Sequence, residues 1–131
     1  VTNIWYTSEN TDIYGAESED ENIKLIANAD ETVWFIHSDI INKFHERNLL
    51  ESFENNKMGW GWDLVFSSLC FLNNRTVIRD YNHVIDHNKG TNYDSYRAYQ
   101  EMTELRAFVE NDIKECIDYI KGNREELLRY L

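Results

Sequence analysis

The chain has 131 residues, 42% of them hydrophobic and 14% aromatic, and carries a formal net charge of −11 at pH 7. That is the length of one domain with enough apolar material for a core. The charge excludes general binding to a nucleic-acid backbone, which depends on Lys and Arg displacing counterions.

No apolar run approaches the ~20 residues of a membrane span, and no basic-then-apolar leader opens the chain. A cytoplasmic chain without a transmembrane segment is expected. Its two cysteines, Cys70 and Cys116, each fall in an apolar helical stripe, which suits a reducing compartment and indicates neither a disulfide framework nor a thiolate zinc site. The first residue is Val1 rather than Met, so a piece of a longer protein is expected.

In chain order, residues 3–7 (Asn-Ile-Trp-Tyr-Thr) are rich in strand-favouring types and predict a short strand. Residues 8–22 are polar, and Glu17, Glu19, Asp20 and Glu21 crowd together as a solvated loop; they lack the alternating spacing and central Gly of a calcium loop. Residues 22–29 fit either a short helix or a strand. Residues 32–36, Thr-Val-Trp-Phe-Ile, form a β-branched and aromatic run of buried-strand length.

Ser38-Asp39 reads as a helix start with Ser38 as its cap, followed by Ile40, Ile41 and Phe44 on one face. Leu49, Leu50 and Phe53 continue at helical spacing until Asn55-Asn56-Lys57 breaks the pattern. From Trp62, the apolar positions Val65, Phe66 and Leu69 lie three, four and seven residues on, and Leu64, Cys70 and Phe71 widen the stripe. A buried central helix over 62–72 is expected.

Residues 76–79 and 82–87 predict strands, with a turn at Asn88-Lys89-Gly90. His83, Ile85 and His87 would share one face of a regular strand, and Arg79-Asp80 could form a local ion pair. Beyond Tyr93, the stripe Met102, Leu105, Val109, Ile113, Cys116 and Ile120 predicts one long helix running to Gly122. Tyr93, Tyr96 and Tyr99 fall at helical spacing as packing residues. Asn123 would cap a short last helix. Without repeats or a Pro-rich linker, residues 1–131 read as a single domain: a polar leading segment (1–31), a motif-bearing core (32–93) and a helical tail (94–131).

Chemistry concentrates at Met58-Gly59-Trp60-Gly61-Trp62-Asp63. Two glycines permit sharp turns and close ligand approach, two indoles offer flat amphipathic surface, and Asp63 sits at the positive end of a helix dipole. Such a set suits a ring-shaped polar ligand. The same residues also have plainer uses: Asp63 as a helix-start carboxylate, Trp60 and Trp62 as core or rim.

The succession Thr32-Val33-Trp34-Phe35-Ile36-His37-Ser38-Asp39, then Gly59-Trp60-Gly61-Trp62-Asp63-Leu64, then Val77-Ile78-Arg79-Asp80 and Val84-Ile85-Asp86-His87 resembles the acceptor-side half of GT-A-fold nucleotide-sugar glycosyltransferases, of a Gly-Trp-Gly-x-Asp type. It covers about half the chain. The resemblance implies an α/β fold, a partial GT-A-like mixed sheet with the buried central helix and a long C-terminal helix.

It further implies a metal-dependent enzyme that moves a sugar from a nucleotide diphosphate to a carbohydrate acceptor. Asp63 would be the catalytic base, Trp60, Gly61 and Trp62 would face the acceptor, Lys89 would meet phosphate charge, and His87 would bind a divalent manganese or magnesium ion. These residue types suit the reaction, which loads charge on a leaving diphosphate and requires an acceptor hydroxyl to lose its proton. Residues 1–31 do not supply the family's Asp-x-Asp motif, so the donor half would come from an upstream segment or a partner chain. The competing expectation is a non-catalytic carbohydrate- or protein-binding domain. A homo-oligomer is a further expectation, because a small sheet with an open edge tends to acquire a partner.

Overall fold

A computed structural model of the chain describes residues 13, 18–29, 34–83 and 94–131. It is mixed α/β, with 56% of the described residues helical and a two-stranded antiparallel sheet. Strand β1 (Ile23–Leu25) pairs with β2 (Ile78–Asp80), setting Ile23 opposite Asp80, Lys24 opposite Arg79 and Leu25 opposite Ile78. Two cations thus face each other across the ladder, an unfavourable cross-strand pair. Backbone bonds extend the ladder past both its ends: Ile26 N–H donates to Val77 O at 2.9 Å and Tyr81 N–H to Asn22 O at 2.8 Å.

The end of the ladder where Ile23 meets Asp80 is shaped on both strands by the same device. The Asp20 carboxylate accepts from Asn22 N–H at 2.9 Å, and the Asp80 carboxylate accepts from Asn82 N–H at 2.8 Å. Each is an Asx turn, in which a short acidic side chain substitutes for a backbone carbonyl. Asp20, Glu19 and Glu21 are therefore exposed turn residues. Within the ambiguous segment 22–29, residues 23–25 form the strand and the rest is turn, bridge or irregular chain. Residues 34–37 join no ladder, and Asn82 and His83 belong to the turn after β2 rather than to a further strand. The expected strand at 3–7 and the remainder of 82–87 lie outside the described residues.

Helix α1 (Ser38–Glu46) buries Ile40 and Phe44. Its cap is His37, whose Nδ1 accepts from Asp39 N–H at 3.2 Å, while Ser38 is the first helical residue. The cap thus lies one residue earlier than the expected Ser38, with an imidazole nitrogen in place of the serine hydroxyl. Asn48, with φ of 51°, turns the chain into the single-turn α2 (Leu49–Ser52).

Helix α3 (Trp62–Leu72) matches its expected span and is buried along most of its surface, from Leu64 through Leu69 and again at Phe71. It ends where Asn73 Nδ2 donates to Leu69 O at 2.7 Å and Asn74 adopts φ of 53°. Arg75 then reaches Asp39 at 2.7 Å and ties the end of α3 to the start of α1.

The expected long C-terminal helix is two helices, α4 (Ser95–Phe108) and α5 (Asn111–Gly122), followed by a 3₁₀ helix (Arg124–Tyr130). The chain is extended at Val109 and Glu110, with ψ of 159° and 158°. No proline or glycine forces that break. Val109 is 2% exposed, and Arg47 holds the head of α5, bonding Glu110 at 2.5 Å and Asp112 at 2.8 Å. Core burial and this ion triad outweigh the ~1 kcal/mol scale of helix propensity.

Helix α3 packs against α1 on one side and α5 on another, with Leu127 of the 3₁₀ helix closing the core. Among the described residues no helix is long and apolar enough to cross a membrane.

Candidate functional site

The turn that leads into α3 is built by side chains from outside it. Asn56 spans it, its Nδ2 donating to Trp60 O at 2.7 Å and its Oδ1 accepting from Gly59 N–H at 2.8 Å. Glu101 on α4 accepts from Met58 N–H at 2.8 Å and from Arg97 Nε at 2.8 Å. Gly59 and Gly61 take φ of 85° and 99°, backbone that a side chain would strain. A Cβ at Gly61 would also stand 3.0 Å from Met102 Cγ and 3.1 Å from Leu105 Cδ2. Gly61 is where α3 begins and where α4 lies closest to it.

Glu101 is only 8% exposed. The bond from Met58 N–H is the main influence holding its carboxyl below the ordinary glutamate range; burial opposes it, and Arg97 adds to the lowering. In the sequence, Glu101 sits between Ala98 and Leu105 on the inward stripe of α4. A carboxylate interrupting an apolar stripe, with an Arg four residues before it, was the available signal.

The expected site residues have these places. Trp62 is half-buried, its ring among Phe53, Phe44 and Phe66 at centroid distances of 3.6, 5.9 and 6.1 Å. Its Nε1 is buried without a hydrogen-bond partner. Trp60 is half-buried. One oxygen of Asp63 accepts from Asn28 Nδ2 at 2.6 Å, and Asn28 Oδ1 in turn accepts from Ser67 Oγ at 3.1 Å. Asp63 and Ser67, one turn apart on α3, thereby clamp the segment leaving β1. His87 and Lys89 lie outside the described residues.

His83 is exposed and its Nδ1 lies 2.9 Å from Asp80 Oδ2, so Asp80 meets His83 across the turn rather than Arg79. Among the described residues no three His, Cys, Asp or Glu side chains group as a cation site would require.

Both cysteines are free. Burial pushes the Cys70 thiol up to about 11 despite the opposing charge of Arg75, and burial raises Cys116 as well. Neither is a nucleophile near neutral pH.

A cleft opens beside Gly61, where α3, α4 and α5 meet. Its volume is about 300 Å³, and Leu64, Val65, Met102, Leu105 and Ile117 form its apolar part. Tyr99, Thr103, Arg106, Asp118 and Lys121 supply polar groups. Arg106 of α4 is paired with Asp118 of α5 across it, and the Thr103 hydroxyl donates to Tyr99 O at 2.9 Å. Lys121 has no ion-pair partner among the described residues.

Tyr96 and Tyr99, expected as packing residues, are 70% and 58% exposed. The helix turns Ala98, Glu101 and Leu105 inward, so positions 96, 99 and 103 face out. Helical spacing located the stripe but not which of its two sides met the core.

No protein-family model, curated protein or solved structure matches the chain.

Proposed function

We propose that this chain is a non-catalytic binding domain whose ligand site is the cleft between the Gly61 turn, α4 and α5. The observation that carries the reading is the cleft itself: about 300 Å³ of space lined by apolar side chains and nearly as much polar surface, at the lower end of small-ligand site volumes. Among the described residues its one carboxylate, Asp118, is engaged by Arg106, and the described lining includes no histidine or cysteine. The residues there can position a ligand; they do not form an acid–base or nucleophile pair.

The Gly-Trp-Gly-Trp-Asp turn supports the site from behind. Gly61 lets α3 and α4 approach, Trp62 is spent on the aromatic core, and Asp63 holds Asn28. Screening a library of uncharged and charged fragments by amide NMR shifts tests this. Perturbations gathered at Gly61, Met102 and Ile117, with no hydrolysis of nucleotide sugars in the presence of manganese, are expected. Turnover of a nucleotide sugar that disappears in Asp63→Asn and His87→Ala would replace the binding reading with sugar transfer.

A further inference from the structure

The cleft is unusual for its electrostatic setting. The molecule carries −11 in all, yet among the described residues the charged groups at the cleft are Arg106, Asp118 and Lys121. Arg106 and Asp118 satisfy each other, which leaves the Lys121 ammonium as the net charge beside an apolar floor. A deep negative potential would be the default for any concavity on so acidic a chain. Here the unpaired charged group is a cation, lining the same cleft as Leu64, Val65, Met102 and Ile117.

Resting on the binding reading above, we infer that the cleft takes a small amphipathic monoanion: an apolar body against α3 and α4, and a carboxylate directed at Lys121. Size sets the body. At about 300 Å³ the cleft is at the lower end of small-ligand pockets, the scale of an aryl-alkyl carboxylate. Charge sets the head. A carboxylate meets the unpaired ammonium by a charge-assisted hydrogen bond, whereas a cation would face Lys121 and a paired Arg106. Lys121, like Tyr99 and Thr103, is exposed, so a head at Lys121 keeps access to water and its desolvation is partial.

The probe is 3-phenylpropionate, compared with the neutral 3-phenylpropan-1-ol of the same length, by calorimetric titration of wild type and Lys121→Met. The expected dissociation constant of the acid is on the order of 0.1–1 mM, as suits so few atoms. The alcohol should bind roughly threefold to fivefold more weakly, and Lys121→Met, its fold checked by circular dichroism, should erase that difference. Equal binding of acid and alcohol by the wild type would overturn the anion inference and leave the binding reading standing. Failure of both probes to bind at 10-fold above that range would overturn both.

Discussion

A methyl group at Gly61 would stand 3.0 Å from Met102 Cγ and 3.1 Å from Leu105 Cδ2, on a backbone with φ of 99°. Two independent penalties therefore fall on one atom: strain in the left-handed region and overpacking against α4. Gly61→Ala should lower stability by about 2–3 kcal/mol in denaturant titration. Met102→Ala in the same chain should recover the packing part and not the backbone part. Burial at Cys70 has a different readout. With its thiol pushed up to about 11, about 0.1% is thiolate at pH 8, so alkylation by iodoacetamide should be slow in the folded chain and rise to the ordinary rate in denaturant. Rapid alkylation of Cys70 under native conditions would show the α3 site to be open.

At the scale of elements, Glu101 of α4 bonds the backbone of the turn and Arg106 of α4 pairs with Asp118 of α5. The Glu101 carboxyl lies below the ordinary value of about 4.3 because Met58 N–H and Arg97 favour its charged form, against burial. A carboxyl with a depressed folded-state pKa adds stability in full above its unfolded pKa, and that stability is lost as pH falls through the folded value. The stability gap between wild type and Glu101→Gln should therefore be widest above about pH 5 and shrink steadily as the pH is lowered beneath the ordinary glutamate value, as followed by urea unfolding. Arg47 plays the corresponding part for α5. Burial works to lower its pKa, but the bond and charge of Asp112 and the charge of Glu110 outweigh this and raise it. Since both carboxylates are partly exposed, a double-mutant cycle of Arg47→Met with Asp112→Asn should give a coupling of only about 0.5–1 kcal/mol. These ties explain what could be read from the sequence. The span of α3 was legible because its apolar residues sit close together and Gly61 marks its start. The break at Val109 and Glu110 was not, because the apolar stripe from Met102 to Ile120 keeps its period across it, and Arg47, 63 residues before Glu110, gives no local signal. The exposed Tyr96 and Tyr99 were misplaced for a similar reason: period tells which residues share a face, and tertiary packing decides which face goes inside.

For the molecule as a whole, the strands form a small ribbon at one edge while α1, α3, α5 and the 3₁₀ helix share the core. The Gly-Trp-Gly-Trp-Asp segment stood out in the sequence as chemistry. In the structure its described contacts are a backbone joint, an aromatic cluster and a clamp on Asn28, and the concave surface lies on its far side, against α4 and α5. The lining residues Tyr99, Met102, Arg106, Asp118 and Lys121 come from two helices separated by the unanticipated break, so no contiguous motif could have announced them. The exposed position 103 offers a direct way to close the cleft without touching the core. Amide NMR titration of 3-phenylpropionate into wild type and Thr103→Trp is the most direct test: shifts at Gly61, Met102 and Ile117 in the wild type, abolished in a folded Thr103→Trp, are the expected result. Shifts that persist in Thr103→Trp, or that gather away from these residues, would contradict the placement of the site.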